Sequence, residues 1–225
     1  MNHFSKLSTL ALLALSLGAT SACDPSFQPG SIEPASSVDA PSAEEFGALA
    51  LEAREQLLQT FTLDVDNLLP VEGEQGTRVS LPWWGEFTDP TGAVVTGEVT
   101  LELIEIFDRG SMLVTNMPTN GRLPSGEPGQ LISGGEHFVN VTKDGVSLEV
   151  NAEYYLEAPA EPTGGVDLDM GLFRAETEDG FAAGLEDEAV WVEDDSSPGN
   201  CCFDPEVPMA GYTLLSDQFG WTNID

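Results

Sequence analysis

From Phe61 onward the chain alternates apolar and polar residues with a period of two, which suits a pleated strand with one buried face. In FTLDVD, Phe61, Leu63 and Val65 share one face, and Thr62, Asp64 and Asp66 share the other. EVTLELIEIF begins the same way, then turns apolar on both faces at Leu103, Ile104 and Ile106, the pattern of a central strand covered on two sides. HFVNVTKDGVSLEV reads as a hairpin, with Val139 and Val141 alternating, Asp144-Gly145 turning, and Val146, Leu148 and Val150 alternating back. Shorter candidates lie at 168–173, 189–193 and 212–215, separated by breaks such as PSGEPG and PAEPTGG. Many short strands without helical spacers predict a mainly β fold, an antiparallel β-sandwich over 61–225.

One helix is predicted ahead of the strands, within 42–60. Ser42-Ala43-Glu44-Glu45 has the form of a capping box, and Phe46, Leu49, Ala50, Ala53, Leu57 and Leu58 recur at helical spacing. The expected element is an amphipathic helix over 43–59, packed through that stripe on the domain. Apolar residues make up 41% of the chain and charged ones 20%, which suffices for one sizeable core despite the acidity.

Residues 1–22 have the layout of a secretory leader: a polar head with Lys6, an apolar run from Leu7 to Leu17, then Gly18, Ala19, Thr20, Ser21 and Ala22. The run is shorter than the roughly 20 apolar residues a membrane-spanning helix needs. Cys23 directly after these small residues resembles the lipobox of bacterial lipoproteins, in which the thiol is acylated and becomes the new N-terminus. Thr20 stands where that motif most often has leucine. The resemblance implies lipid attachment at Cys23. The segment 23–41, broken by Pro25, Pro29, Pro34 and Pro41 among serines and acids, is then a disordered linker with a reach of at most about 55–60 Å. The expected location is the bacterial envelope, at the outer membrane or cell surface rather than the inner membrane.

The 225 residues hold 7 basic side chains against 39 acidic ones, a formal charge of −32. Loss of a leader containing Lys6 and no acid moves this to −33. Such a chain has no basic face for nucleic acid, and anionic headgroups repel it, so a membrane must be held through the N-terminal lipid. Solubility in salty surroundings explains the charge most simply; calcium or a cationic partner are the alternatives.

GTRVSLPWWGEFTDPTGAVVTGEVTLELIEIFDRGSML resembles a strand–proline–loop–strand unit in surface proteins of gliding and marine bacteria. The skeleton is Gly76-Thr77, apolar alternation up to Pro82, then Asp89, Gly92, Gly97, Val99 and Glu105. The β-sandwich domain of ankyrins and netrin receptors is more weakly similar. SMLVTNMPTNGRL, GGEHFVNVTKDGVSLEV and FGWTNID resemble later segments of the bacterial domain. The likeness covers most of 76–156 and the last few residues. It implies a fold rather than an activity, and supplies no catalytic residue.

Outside the leader, His137 is the one histidine, so a Ser–His–acid triad would have to use it. It lies beside Phe138 in an alternating strand, where a surface or ladder position is the ordinary role. No motif asks for a cofactor or a bound metal. One histidine and two adjacent cysteines are too few spaced ligands for zinc, and none of Asp64-Val65-Asp66-Asn67, Asp167-Leu168-Asp169, Glu186-Asp187-Glu188 or Glu193-Asp194-Asp195 fits a calcium loop. Cys201 and Cys202 are adjacent, with Cα atoms about 3.8 Å apart against a usual disulfide span of about 4.4–6.8 Å. A strained vicinal bridge, two free thiols, or a link to another chain are open to them. Trp83 and Trp84 point to opposite faces of any strand, which exposes at least one indole as a contact for a sugar ring or a partner.

The function these readings favour is a non-catalytic binding or structural role for a lipid-anchored domain, with an envelope protein or a glycan as partner. A carboxylate-based hydrolase of glycoside type and a calcium-stabilised adhesion module are the rivals.

Overall fold

The computed structural model describes residues 40–83, 87–122, 125–176, 180–185, 189–194 and 211–225. The leader, Cys23, the linker up to residue 39, Trp84, the acids 186–188, Asp195, Cys201 and Cys202 lie outside the described residues. The elements are α1 (Ala43–Leu57), β1 (Gln59–Asp64), β2 (Val71–Glu72), β3 (Arg78–Ser80), β4 (Phe87–Thr88), β5 (Glu98–Ile106), α2 (Arg109–Val114), β6 (Asn120–Arg122), β7 (Pro128–Gln130), β8 (Gly135–Lys143), β9 (Val146–Ser147), β10 (Glu149–Val150), β11 (Tyr154–Pro159), β12 (Leu172–Ala175), β13 (Trp191–Glu193), β14 (Gly211–Ser216) and β15 (Gly220–Ile224). Short 3-10 turns occupy Glu161–Thr163 and Gly180–Ala182.

The fold is mainly β, as the alternation predicts. The large sheet has strand order β1-β5-β8-β15-β12-β13-β6-β7, with β9 on β8, and a smaller sheet runs β14-β11-β3-β2. Pairing is antiparallel except between β13 and β6. Leu101 and Leu103 of β5 stand opposite Val141 and Val139 of β8, and this face meets Val79, Leu156, Ala158, Tyr212 and Leu214 of the smaller sheet. Burying these side chains between two sheets supplies the sandwich core.

The opposite face of the large sheet is apolar as well. Ile104, Ile106, Phe138, Trp191 and Trp221 pack there with Met112 of α2 and with Leu57 and Leu58 at the end of α1. This second core is why β5 carries apolar residues on both faces. The molecule is thus a sandwich with one sheet also covered by helix. α2, which the sequence reading does not anticipate, is a six-residue helix capped by Asp108, whose carboxylate accepts from the Ser111 amide at 3.0 Å.

α1 starts where its capping box predicts. Ser42 Oγ accepts from the Glu45 amide at 3.2 Å, and Glu45 Oε2 accepts from the Ser42 amide at 2.8 Å. Ser42→Ala is expected to lower stability by about 1 kcal/mol in a urea melt, the usual value of such a cap. The buried stripe of α1 follows the expected one at Phe46, Ala50, Ala53, Leu57 and Leu58, but Leu49 is 57% exposed and Arg54 is fully buried in its place. Gly47 permits this close docking, since a Cβ there would lie 2.8 Å from the Leu185 carbonyl oxygen.

The hairpin has the expected two-residue turn, with positive φ at both Asp144 (52°) and Gly145 (77°). Its return arm pairs with β8 through Val146 and Ser147, and the Leu148 amide donates to the Val141 carbonyl at 2.8 Å. Glu149 and Val150 leave to pair with Thr88 and Phe87 of β4. The strand expected at 168–173 begins only at Leu172, because Leu168 and Asp169 form a turn closed by the Asp167 carboxylate on the Asp169 amide. The strands expected at 189–193 and 212–215 are β13 and β14, each within two residues of the expected limits.

Candidate functional site

Glu136 and His137 are consecutive in β8, so the pleat sends them to opposite faces of the large sheet. Both are fully buried. Glu136 faces the helix layer. Its cross-strand partner is Asn223, two positions along from the Phe138–Trp221 pair, so Glu136, Asn223, Phe138 and Trp221 share that face. α1 lowers Arg54 onto the group, with its guanidinium carbon 5.0 Å from the centroid of the Trp221 ring. Arg54 Nε donates to the Thr115 carbonyl at 2.9 Å and Nη1 to the Phe181 carbonyl at 2.6 Å. One buried side chain thereby ties α1 to the end of α2 and to the 180–182 turn.

Arg54 Nη2, both Glu136 oxygens, Trp221 Nε1 and Asn223 Nδ2 have no hydrogen-bond partner among the described residues. Burial lowers the Arg54 pKa to about 10, partly offset by the Glu136 carboxylate, so the guanidinium stays cationic at neutral pH. Burial also raises the Glu136 pKa well above the ordinary carboxyl range, against a smaller opposing pull from Arg54.

The sandwich side holds a different arrangement. Glu105 Oε1 accepts from the Thr77 amide at 2.7 Å, and Oε2 accepts from the Gln75 amide at 2.9 Å and from Gln59 Nε2 at 2.8 Å. Glu105 is opposite His137 in the β5–β8 ladder, yet both imidazole nitrogens lack a hydrogen-bond partner. Phe107 stacks edge-on to the ring at 5.4 Å. Burial drives the His137 pKa down to about 4, with a small upward pull from Glu105, so the ring is neutral at pH 7. His137 occupies the ladder position that the sequence suggests, in the interior rather than at the surface.

Two skeleton residues of the bacterial-domain resemblance, Thr77 and Glu105, meet here, and Gly76 beside them takes φ 94° to turn the 73–77 loop onto the carboxylate. Asp89 closes the next turn. Its carboxylate accepts from the Thr91 hydroxyl at 2.6 Å and from the Ala93 amide at 3.0 Å, bonds that hold its pKa below the usual range. These residues are turn determinants, and nothing in their geometry presents a reacting group.

In three of the acid clusters considered for calcium, one described carboxylate is engaged locally. The Asp64 and Asp167 carboxylates accept from the Asp66 and Asp169 amides, each at 3.0 Å, and Asp194 pairs with Arg174 Nε at 2.5 Å. Among the described residues no group of three or more His, Cys, Asp or Glu side chains is placed to hold a metal ion. Trp83 is 79% exposed next to the buried Leu81 and Pro82, which gives one outward indole of the pair.

Two open clefts flank the sealed clusters. One, of about 820 Å³, lies between α2, residues 118–119, residues 130–133 and the 161–163 turn. The other, of about 800 Å³, borders Phe138, Phe181 and the acids Glu149 and Asp217. The sequence gives no local signal for either, because each is assembled from segments far apart in the chain. No helix among the described residues is long and apolar enough to cross a membrane. In comparisons with protein families, curated proteins and solved structures, nothing matches the chain.

Proposed function

We propose that the chain is a lipid-anchored protein of the bacterial envelope or cell surface whose β-sandwich domain has a non-catalytic binding or structural role. The anchor rests on Cys23 behind the leader and ahead of the proline-broken 24–41 segment. The placement of the two most deeply buried carboxylates among the described residues supports the non-catalytic part. Glycoside chemistry needs two carboxyl groups about 5–9.5 Å apart on either side of one bond. Glu105 and Glu136 are 1% and 0% exposed and lie on opposite faces of one sheet, so no substrate bond sits between them. Their chemistry is internal: Glu105 fastens a loop, and Glu136 lies under the helix layer.

The intact mass of the mature native protein tests the anchor. It is expected to begin at Cys23 with acyl groups attached, and Cys23→Ser is expected to move most of the protein from the detergent phase to the aqueous phase. A soluble native protein with an unmodified thiol at Cys23 would overturn the reading.

A further inference from the structure

The cleft beside α2 has an apolar floor and an apolar rim. Phe107, Met112 and Leu131 are nearly buried at its base, while Leu113 and Ile132 stand 67% and 78% exposed at its mouth. Large side chains this exposed, gathered around a cleft of about 820 Å³, mark a surface that a ligand can cover.

Arg109 shares the lining and is exposed. Every other basic side chain among the described residues is engaged: Arg54 with two carbonyls, Arg78 with Glu157, Arg122 with Glu176, Arg174 with Asp194 and Asp217, and Lys143 with the Thr96 carbonyl. Arg109 has no hydrogen bond or ion pair among the described residues, in a chain with 39 acids. The acid next to it in sequence is occupied, and one near Ile132 is partly so. Asp108 binds the Ser111 amide and hydroxyl, and the Asp225 carboxyl accepts from the Ile132 amide. An unengaged guanidinium at the edge of an apolar cleft matches a carboxylate on an apolar body.

The walls decide what that body is. The Leu131 amide already donates to the Thr119 carbonyl, and the Pro118 carbonyl accepts from both the Asn120 amide and Trp191 Nε1. The Ser133 hydroxyl donates to Asn223 Oδ1, and the Thr163 hydroxyl donates to the Ala160 carbonyl. Pro118 and Pro162 have no amide hydrogen. Gln130 and Thr119 are the remaining polar side chains of the lining, too few to pair the amides of a peptide along the whole cleft, whereas a hydrocarbon chain has none to satisfy. We infer that this cleft binds a linear acyl carboxylate, with its chain over Leu113 and Ile132 and its carboxylate on Arg109. This deepens the binding role proposed above and rests on it, but does not depend on the lipid anchor.

Calorimetric titration of the purified full chain tests the assignment, with octanoate, octanol, octylammonium and an apolar tripeptide bearing a free carboxyl group. Octanoate is expected to bind about tenfold more tightly than octanol, and octylammonium more weakly than either. Arg109→Gln is expected to reduce octanoate to the level of octanol, while Leu113→Asn with Ile132→Asn weakens both by tenfold or more. Equal binding of octanoate and octanol, or octanoate binding unchanged by Arg109→Gln, overturns the proposal. So does a tripeptide that binds more tightly than octanoate. A negative titration on protein whose mature N-terminus is acylated removes the ligand and leaves the tether, so the two readings fail separately.

Discussion

Replacing Arg54 by alanine is expected to cost the domain about 3–5 kcal/mol, the range found when one partner of a buried charged network is removed. The change strands the Thr115 and Phe181 carbonyls and removes the cation over Trp221. It also leaves Glu136 without the positive charge that draws its pKa down. Urea melts followed by circular dichroism measure the loss. Glu136→Gln keeps the shape and removes the buried ionisable group, so it is expected to cost far less and to recover part of the loss in the double variant. A double-mutant cycle then isolates the coupling. A loss under 1 kcal/mol in Arg54→Ala would show that the guanidinium does not hold α1 on the sheet.

The second large effect is a pair of opposite pH slopes between about pH 4.5 and 6.5. His137 titrates near 6.5 when unfolded and about 4 when folded. The unfolded chain therefore binds the extra proton, and the His137 contribution is complete above pH 6.5 and is lost as pH falls toward 4. Glu136 has the reverse sign. Its folded pKa lies well above its unfolded value near 4.5, so the folded state holds a proton that the unfolded chain releases. Its contribution is complete below pH 4.5 and is lost as pH rises toward the folded pKa. The His137 slope approaches about 1.4 kcal/mol per pH unit within its window, and its loss totals about 3 kcal/mol.

In the parent protein the two slopes offset one another. His137→Leu is expected to give stability that falls with rising pH across the window, and Glu136→Gln stability that rises. Asp89 and Asp108, whose pKa values their hydrogen bonds lower, act only at more acid pH. Denaturation midpoints at half-unit pH intervals read the slopes. Parallel profiles in the two variants would count against the assignment of both groups.

Local pattern made some features legible. Ser42 and Glu45 marked the start of α1, the two-faced apolar run of β5 marked a strand between two layers, and Asp144-Gly145 marked a tight turn. Each depends on residues a few positions apart. The buried face of α1 was legible except for Leu49, which is exposed, and Arg54, which was missed because an arginine reads as solvated. Its burial depends on carbonyls of Thr115 and Phe181, 61 and 127 residues away. Glu136 had a usable signal: it shares a face with Phe138 opposite the apolar Ile104 and Ile106, so it could not reach water on a strand covered from both sides. α2 was missed because six residues carry too little periodicity. The break after Ser147 was missed because alternation continues through Leu148 and Val150 whichever strand they pair with.

The strand order has a consequence for how such a chain matures. β15 is last in sequence among the strands yet lies between β8 and β12, so it joins two parts of the large sheet. While the chain is being made, residues 135–143 and 172–175 have no neighbour along those edges until 220–224 emerge. The large sheet therefore closes late, and until then its unpaired edges are open to other chains.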